Sequence, residues 1–116
     1  MSYASKFNKP SVSFNYEIPE SHNFAKPSEL YSEHGSDYTY TVRSMYINTK
    51  GKFGAEPVII TDECLMNAPK HVLDAVQTML TDETAIELIN SGKIGFKLYE
   101  YSNQYGKQYS ITWLDI

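Results

Sequence analysis

At 116 residues the chain is near the commonest size for one domain, and its 41% hydrophobic content is enough for one core. No run approaches the roughly 18 apolar residues that span a bilayer, residues 1–10 carry Lys6 and Lys9 with no apolar stretch to make a secretory signal, and the lone Cys64 has no partner for an internal disulfide. One cytoplasmic domain over 1–116 is the expectation. The net charge of −4 argues mildly against nucleic acid as a single number, but its distribution is uneven: 41–54 carries +3 and 93–116 carries +1, whereas 15–40 carries −4 and 55–92 carries −6.

In chain order, residues 1–10 read as a flexible arm closed by Pro10. Val12, Phe14, Tyr16 and Ile18 then alternate with polar residues, the period of a half-buried strand. Residues 19–37 hold two prolines, a glycine and two histidines, and read as a long loop with a helical turn near 28–31. Alternation resumes over 37–48 through Tyr38, Tyr40 and Val42. Its phase shifts to Met45 and Ile47, which predicts a bulge near Arg43–Ser44. A strand that long and bent is what barrel closure requires. A two-glycine turn, 49–54, leads to a short strand at 57–61, whose Val58-Ile59-Ile60 run implies burial on both faces.

From Pro69 the period becomes helical. Val72, Leu73, Val76, Met79 and Leu80 form one apolar stripe, with Asn67 as the expected N-cap. A second short helix is expected after an N-cap at Thr81, ending at Asn90-Ser91-Gly92. Residues 93–101 alternate strictly, with Ile94, Phe96 and Leu98 on one face and Lys93, Gly95, Lys97, Tyr99 and Tyr101 on the other. A glycine-containing turn, 102–107, joins them to a last strand at 108–116. The order is strand, loop, strand, turn, strand, helix, strand, turn, strand. The expected fold is therefore mainly β, an OB-fold-like five-stranded antiparallel barrel with a helix between strands 3 and 4. An unrelated α+β sheet with one covering helix is the competing architecture.

Catalytic and metal chemistry find no support. His22, His34 and His71 form no ligand-spaced pair with each other or with Cys64. A Cys64–His71 nucleophile–base couple is outweighed by a buried structural cysteine and a helix-surface histidine. The adjacent acids Asp62-Glu63 and Asp82-Glu83 point different ways, and Gly51-Lys52-Phe53-Gly54 lacks the spacing of a phosphate-binding loop. No cofactor and no enzyme activity are expected.

The aromatic content is the distinguishing feature: ten tyrosines, five phenylalanines and one tryptophan. Single-stranded nucleic acid offers flat bases and a charged backbone, and proteins bind it with aromatic faces flanked by Lys or Arg. Three places supply both. The second strand and its tip carry Tyr38, Arg43, Tyr46, Lys50, Lys52 and Phe53, although Tyr40 beside Val42 reads as core. The outward face of the fourth strand carries Lys93, Lys97, Tyr99 and Tyr101, which need either a ligand or a cover from the N-terminal arm or a second copy. The last hairpin turn carries Tyr105 and Lys107, or is simply solvent-exposed.

The Tyr-rich strand 38–47, the Lys50-Gly51-Lys52-Phe53-Gly54 turn, Pro57-Val58-Ile59-Ile60 and the closing 109–115 segment together resemble the single-stranded DNA-binding proteins of lactococcal phages. The resemblance is one of size, order and texture over most of the chain. It implies an OB-fold that coats single-stranded DNA in phage replication or recombination, in the host cytoplasm. It also implies a homodimer or higher oligomer, and raises cooperation with a RecA-type recombinase. Bacterial single-strand binding proteins usually end in an acidic tail. The sequence here ends Trp113-Leu114-Asp115-Ile116, inside an expected strand, so the resemblance does not carry recruitment by that route. The competing function is a protein-interaction module or inhibitor of a mobile element, acting through the acidic segment 56–87 on a basic partner.

Overall fold

Two hairpins, each built by alternating apolar residues around a glycine-containing turn, supply most of the sheet. The computed structural model describes residues 14–51 and 54–116, with the backbone alone at Lys50. The strands are β1 (Phe24–Ala25), β2 (Tyr40–Gly51), β3 (Gly54–Thr61), β4 (Leu65–Asn67), β5 (Ile94–Asn103) and β6 (Gly106–Asp115). They form one curled sheet, a half-barrel, in the order β1-β4-β3-β2-β5-β6. Helix α1 (Pro27–His34) follows β1. A 3-10 turn (Lys70–Val72), α2 (Leu73–Leu80) and α3 (Glu83–Asn90) lie between β4 and β5.

The long second strand bends where its apolar phase changes. Tyr40 and Thr41 pair with Phe96 and Gly95 of β5; from Val42 onward β2 pairs with β3, with a register shift between Val42 and Ser44. The bulge expected at Arg43–Ser44 is therefore present, and it turns one strand into the corner of the half-barrel. Gly95 sits at this corner because nothing larger fits. A Cβ there would lie 2.6 Å from the Tyr40 carbonyl oxygen and 2.9 Å from Ile116 Cδ1.

Tyr40, Val42, Met45, Ile59, Met66, Val76, Ile89, Phe96 and Leu98 fill the main core, where the Tyr40 and Phe96 rings stack at 5.0 Å. Burial drives the Tyr40 hydroxyl far above its ordinary pKa, and it donates to the Leu30 carbonyl. Val58, Ile60 and Leu65 form a second cluster covered by Tyr16 and Tyr46, so the Val-Ile-Ile run is buried on both faces as expected.

Several sequence expectations are corrected. The sheet has six strands, not five, and β1 runs parallel to β4, so it is mixed rather than wholly antiparallel. Residues 14–18, the described part of the expected first strand, form no regular element. Phe14 and Tyr16 still pack inward, but the Asn15 amide donates to the Asn90 side chain instead of a neighbouring strand. Counted in chain order, the expected helical segment, α2 and α3, thus follows the fourth strand rather than the third. The loop 19–37 contains an eight-residue helix with Pro27 in its first turn and the Glu29 carboxylate accepting from the Lys26 amide at 2.9 Å. The caps differ by a residue or two. Asp82, not Thr81, accepts from the Thr84 and Ala85 amides, and Asn67 belongs to β4. The helical stop is as expected: Gly92, at φ +70°, ends α3 by donating to the Ile89 carbonyl. The expected flexible arm, 1–10, lies outside the described residues.

β6 is an edge of the sheet, and β1 and β4 lie at the other end. Where a closed barrel would join them, a side chain makes the link. His71 Nε2 and Ser110 Oγ lie 2.7 Å apart in a hydrogen bond, tying the segment after β4 to β6. No helix among the described residues is long and apolar enough to cross a membrane.

Candidate nucleic-acid interface

β5 and β6 stay paired for ten residues each, from Ile94 opposite Asp115 to Asn103 opposite Gly106. Only the inner half of this ladder covers the core. From Tyr99 to Lys107 every residue is exposed, so the hairpin projects as a two-stranded arm. The Asn103 side chain accepts from the Tyr105 amide at 2.9 Å, and Gly106 closes the turn at φ +97°, which a side chain would disfavour.

Cross-strand partners share a face, so the register divides the arm into two sides. Lys97, Tyr99 and Tyr101 lie on one, opposite Thr112, Ser110 and Gln108. Tyr99 is 44% exposed and Tyr101 37%, with ring centroids 6.0 Å apart. Leu98, Glu100 and Ser102 lie on the other, opposite Ile111, Tyr109 and Lys107. There Tyr109 donates to Glu100 at 2.9 Å, which raises the pKa of its hydroxyl, and packs against Tyr31 at 5.4 Å. Tyr105, at the tip, is 79% exposed.

The expected site residues therefore separate. Lys97, Tyr99, Tyr101 and Tyr105 come together on the arm; Lys107 is exposed but points to its opposite side. Lys93 is exposed just before β5, where its carbonyl accepts from the Ile116 amide. Three others are engaged within the protein. Tyr38 stacks on His34 at 4.0 Å and donates to Glu63, which, with partial desolvation, pushes its hydroxyl up to about 12. Arg43 Nε lies 2.5 Å from Asp62 Oδ1, and the second nitrogen reaches Oδ2 at 3.4 Å. That carboxylate holds the guanidinium pKa above its ordinary value. Tyr46 is half-buried over Val58 and Ile60. Lys52, Phe53 and the side chain of Lys50 lie outside the described residues.

Two aromatic placements carry no sequence signal: Phe24, 59% exposed in β1, lies among the prolines and polar residues of 19–37, and the contacts of Tyr109 with Tyr31 and Glu100 come from a distant helix and the neighbouring strand. Cys64 and His71 do not meet. Cys64 is buried, its thiol pushed up by desolvation, with Thr61 Oγ1 at 3.7 Å, and His71 is bonded to Ser110. Among the described residues no three His, Cys, Asp or Glu side chains could hold a metal ion. Comparisons with family models, curated proteins and solved structures found no match.

Proposed function

We propose that the chain binds single-stranded DNA without strong sequence preference, stacking bases on Tyr99 and Tyr101 of the β5–β6 arm. The observation that carries this is the exposed tyrosine pair. Two large aromatic faces lie on one side of a protruding hairpin, with Lys97 two residues behind them and Tyr105 at the tip. A base stacked on each ring gains about 1–3 kcal/mol, and lysines nearby add a salt-dependent phosphate term.

The topology supports the reading. Apart from the two-residue β1, the strands form a meander β2–β3–β4, then helices, then the β5–β6 hairpin set antiparallel on β2. This half-barrel order is compatible with an opened OB-fold-like barrel, and in that reading the arm corresponds to the last hairpin, one of the elements with which an OB-fold holds its strand. The phage replication or recombination setting, the oligomer and the recombinase follow from the resemblance to the lactococcal-phage proteins, and are part of the same proposal.

Titration with oligo(dT) at two salt concentrations, followed by tyrosine fluorescence and by anisotropy of a labelled strand, tests it. Micromolar or tighter binding that weakens steeply with salt is expected. Tyr99→Ala and Tyr101→Ala should each weaken it about 5- to 150-fold, the equivalent of one lost stack. No binding at low salt refutes the proposal.

A further inference from the structure

The open seam between β6 and the β4 end of the sheet is a groove of about 260 Å³, and its lining is chemically specific. Pro27 and Pro69 supply apolar walls, Tyr109 an aromatic one, Asn67 and Gln108 two side-chain amides, and Lys26 a cation at the head of α1. Lys26 is exposed, and Asn67 and Gln108 are half-buried, so the polar groups are reachable. The volume is below the roughly 300–1,000 Å³ that enclose drug-sized ligands. It suits one planar ring and its attached backbone.

The groove is also continuous with the tyrosine face. Gln108 lies directly across from Tyr101 in the β5–β6 ladder, on the same side of the arm. A strand stacked along Tyr99 and Tyr101 that crosses the free edge of β6 arrives at Gln108 and then at the groove. An amide presents one acceptor and two donors, which matches the mixed donor–acceptor edge of a nucleobase, and a lysine matches the phosphate beside it.

We propose that this seam holds one nucleotide of the bound strand, its base between Tyr109 and the prolines, its edge on Asn67 and Gln108 and its phosphate on Lys26. The site rests on the single-strand-binding reading, and adds to it one position where the base is contacted by hydrogen bonds as well as by stacking. Such a position gives the protein a modest preference among bases that stacking on Tyr99 and Tyr101 alone would not.

The test compares Gln108→Ala, Lys26→Ala and Tyr99→Ala by anisotropy with labelled oligo(dT) and with an abasic strand of the same length. Gln108→Ala should weaken oligo(dT) binding about three- to tenfold, the value of one or two amide hydrogen bonds, and leave abasic binding unchanged. Lys26→Ala should reduce the salt slope of log affinity by about 1. Lys26 is exposed, so its variant probes the groove even where Gln108→Ala disturbs β6. If the wild type binds no oligo(dT), both the functional reading and the groove fall. If the wild type binds, Tyr99→Ala weakens it and both groove variants match the wild type, the groove alone is refuted.

Discussion

Replacing Gly95 with alanine tests whether the corner between β2 and β5 is set by close backbone approach. Gly95 does not have a positive φ, so alanine can adopt its conformation. By chain entropy alone the substitution should therefore stabilise the fold by about 0.4–1 kcal/mol. Packing opposes this. The added Cβ would lie 2.6 Å from the Tyr40 carbonyl oxygen, 2.9 Å from Ile116 Cδ1 and 3.3 Å from Thr39 Cγ2, where ordinary contact begins at 3.4 Å. Ile116 and Thr39 can swing aside, but the carbonyl is backbone, and β2 must shift by several tenths of an ångström. Its pairing with β5 spans only Tyr40–Phe96 and Thr41–Gly95, so the shift is concentrated where the ladder is shortest. Overpacking of this kind costs about 1–3 kcal/mol. The net loss is then about 1–2 kcal/mol, which for a chain of this size lowers Tm by about 4–8 °C. Thermal denaturation followed by circular dichroism measures it. A Tm equal to or above that of the parent would refute the reasoning, because it would mean that entropy wins and the corner has room.

Tyr38 makes the fold sensitive to alkali. Its hydroxyl titrates at about 12 when folded, against an ordinary value of 10.0, so the unfolded chain gives up that proton first as pH rises. Its contribution is complete below about pH 10 and is lost as pH climbs towards 12. Glu63→Gln should move the Tyr38 titration, read by ultraviolet absorbance, down towards 10. Asp82→Ala removes the cap from α3 and should cost about 1 kcal/mol in urea denaturation, with an unchanged m-value. Asp62→Asn releases Arg43 at a stability cost of no more than about 1 kcal/mol. If Arg43 belongs to the DNA path, it should also strengthen oligo(dT) binding and steepen its salt dependence.

The parts of this fold that could be read from sequence are those where apolar period and burial coincide. Ile94, Phe96 and Leu98 are all buried while Tyr99 and Tyr101 are exposed, and the Val42–Ser44 register shift sits where the alternation breaks. Helix α1 reads as no more than a turn because Leu30 is its only fully buried residue, which leaves no apolar stripe in the sequence. β1 has no sequence signal because two residues carry no period at all. Around the site, strand alternation was enough to put Lys97, Tyr99 and Tyr101 on one face. Alternation says nothing about partners from distant segments, and those decided the rest. Asp62 takes up Arg43, and His34 with Glu63 takes up Tyr38. Lys107 adjoins Tyr105 in the chain, but the cross-strand register puts it on the side of the arm opposite Tyr99 and Tyr101.

The two-pair contact between β2 and β5 divides the molecule into leaves. On one side the β2–β3–β4 meander closes through near neighbours in sequence, and on the other the β5–β6 hairpin closes around two residues, Gln104 and Tyr105. Each leaf can form its ladder early and alone, since short loops close fastest. Within the sheet they are joined by a strip of backbone two residues wide, with the shared core and the Tyr40–Phe96 stack behind it and the His71–Ser110 hydrogen bond at the far side. Such an isthmus is the natural line of cleavage in native-state hydrogen exchange: amides of Thr41 and Gly95 should open with the leaves as units, while the ladders on either side stay protected.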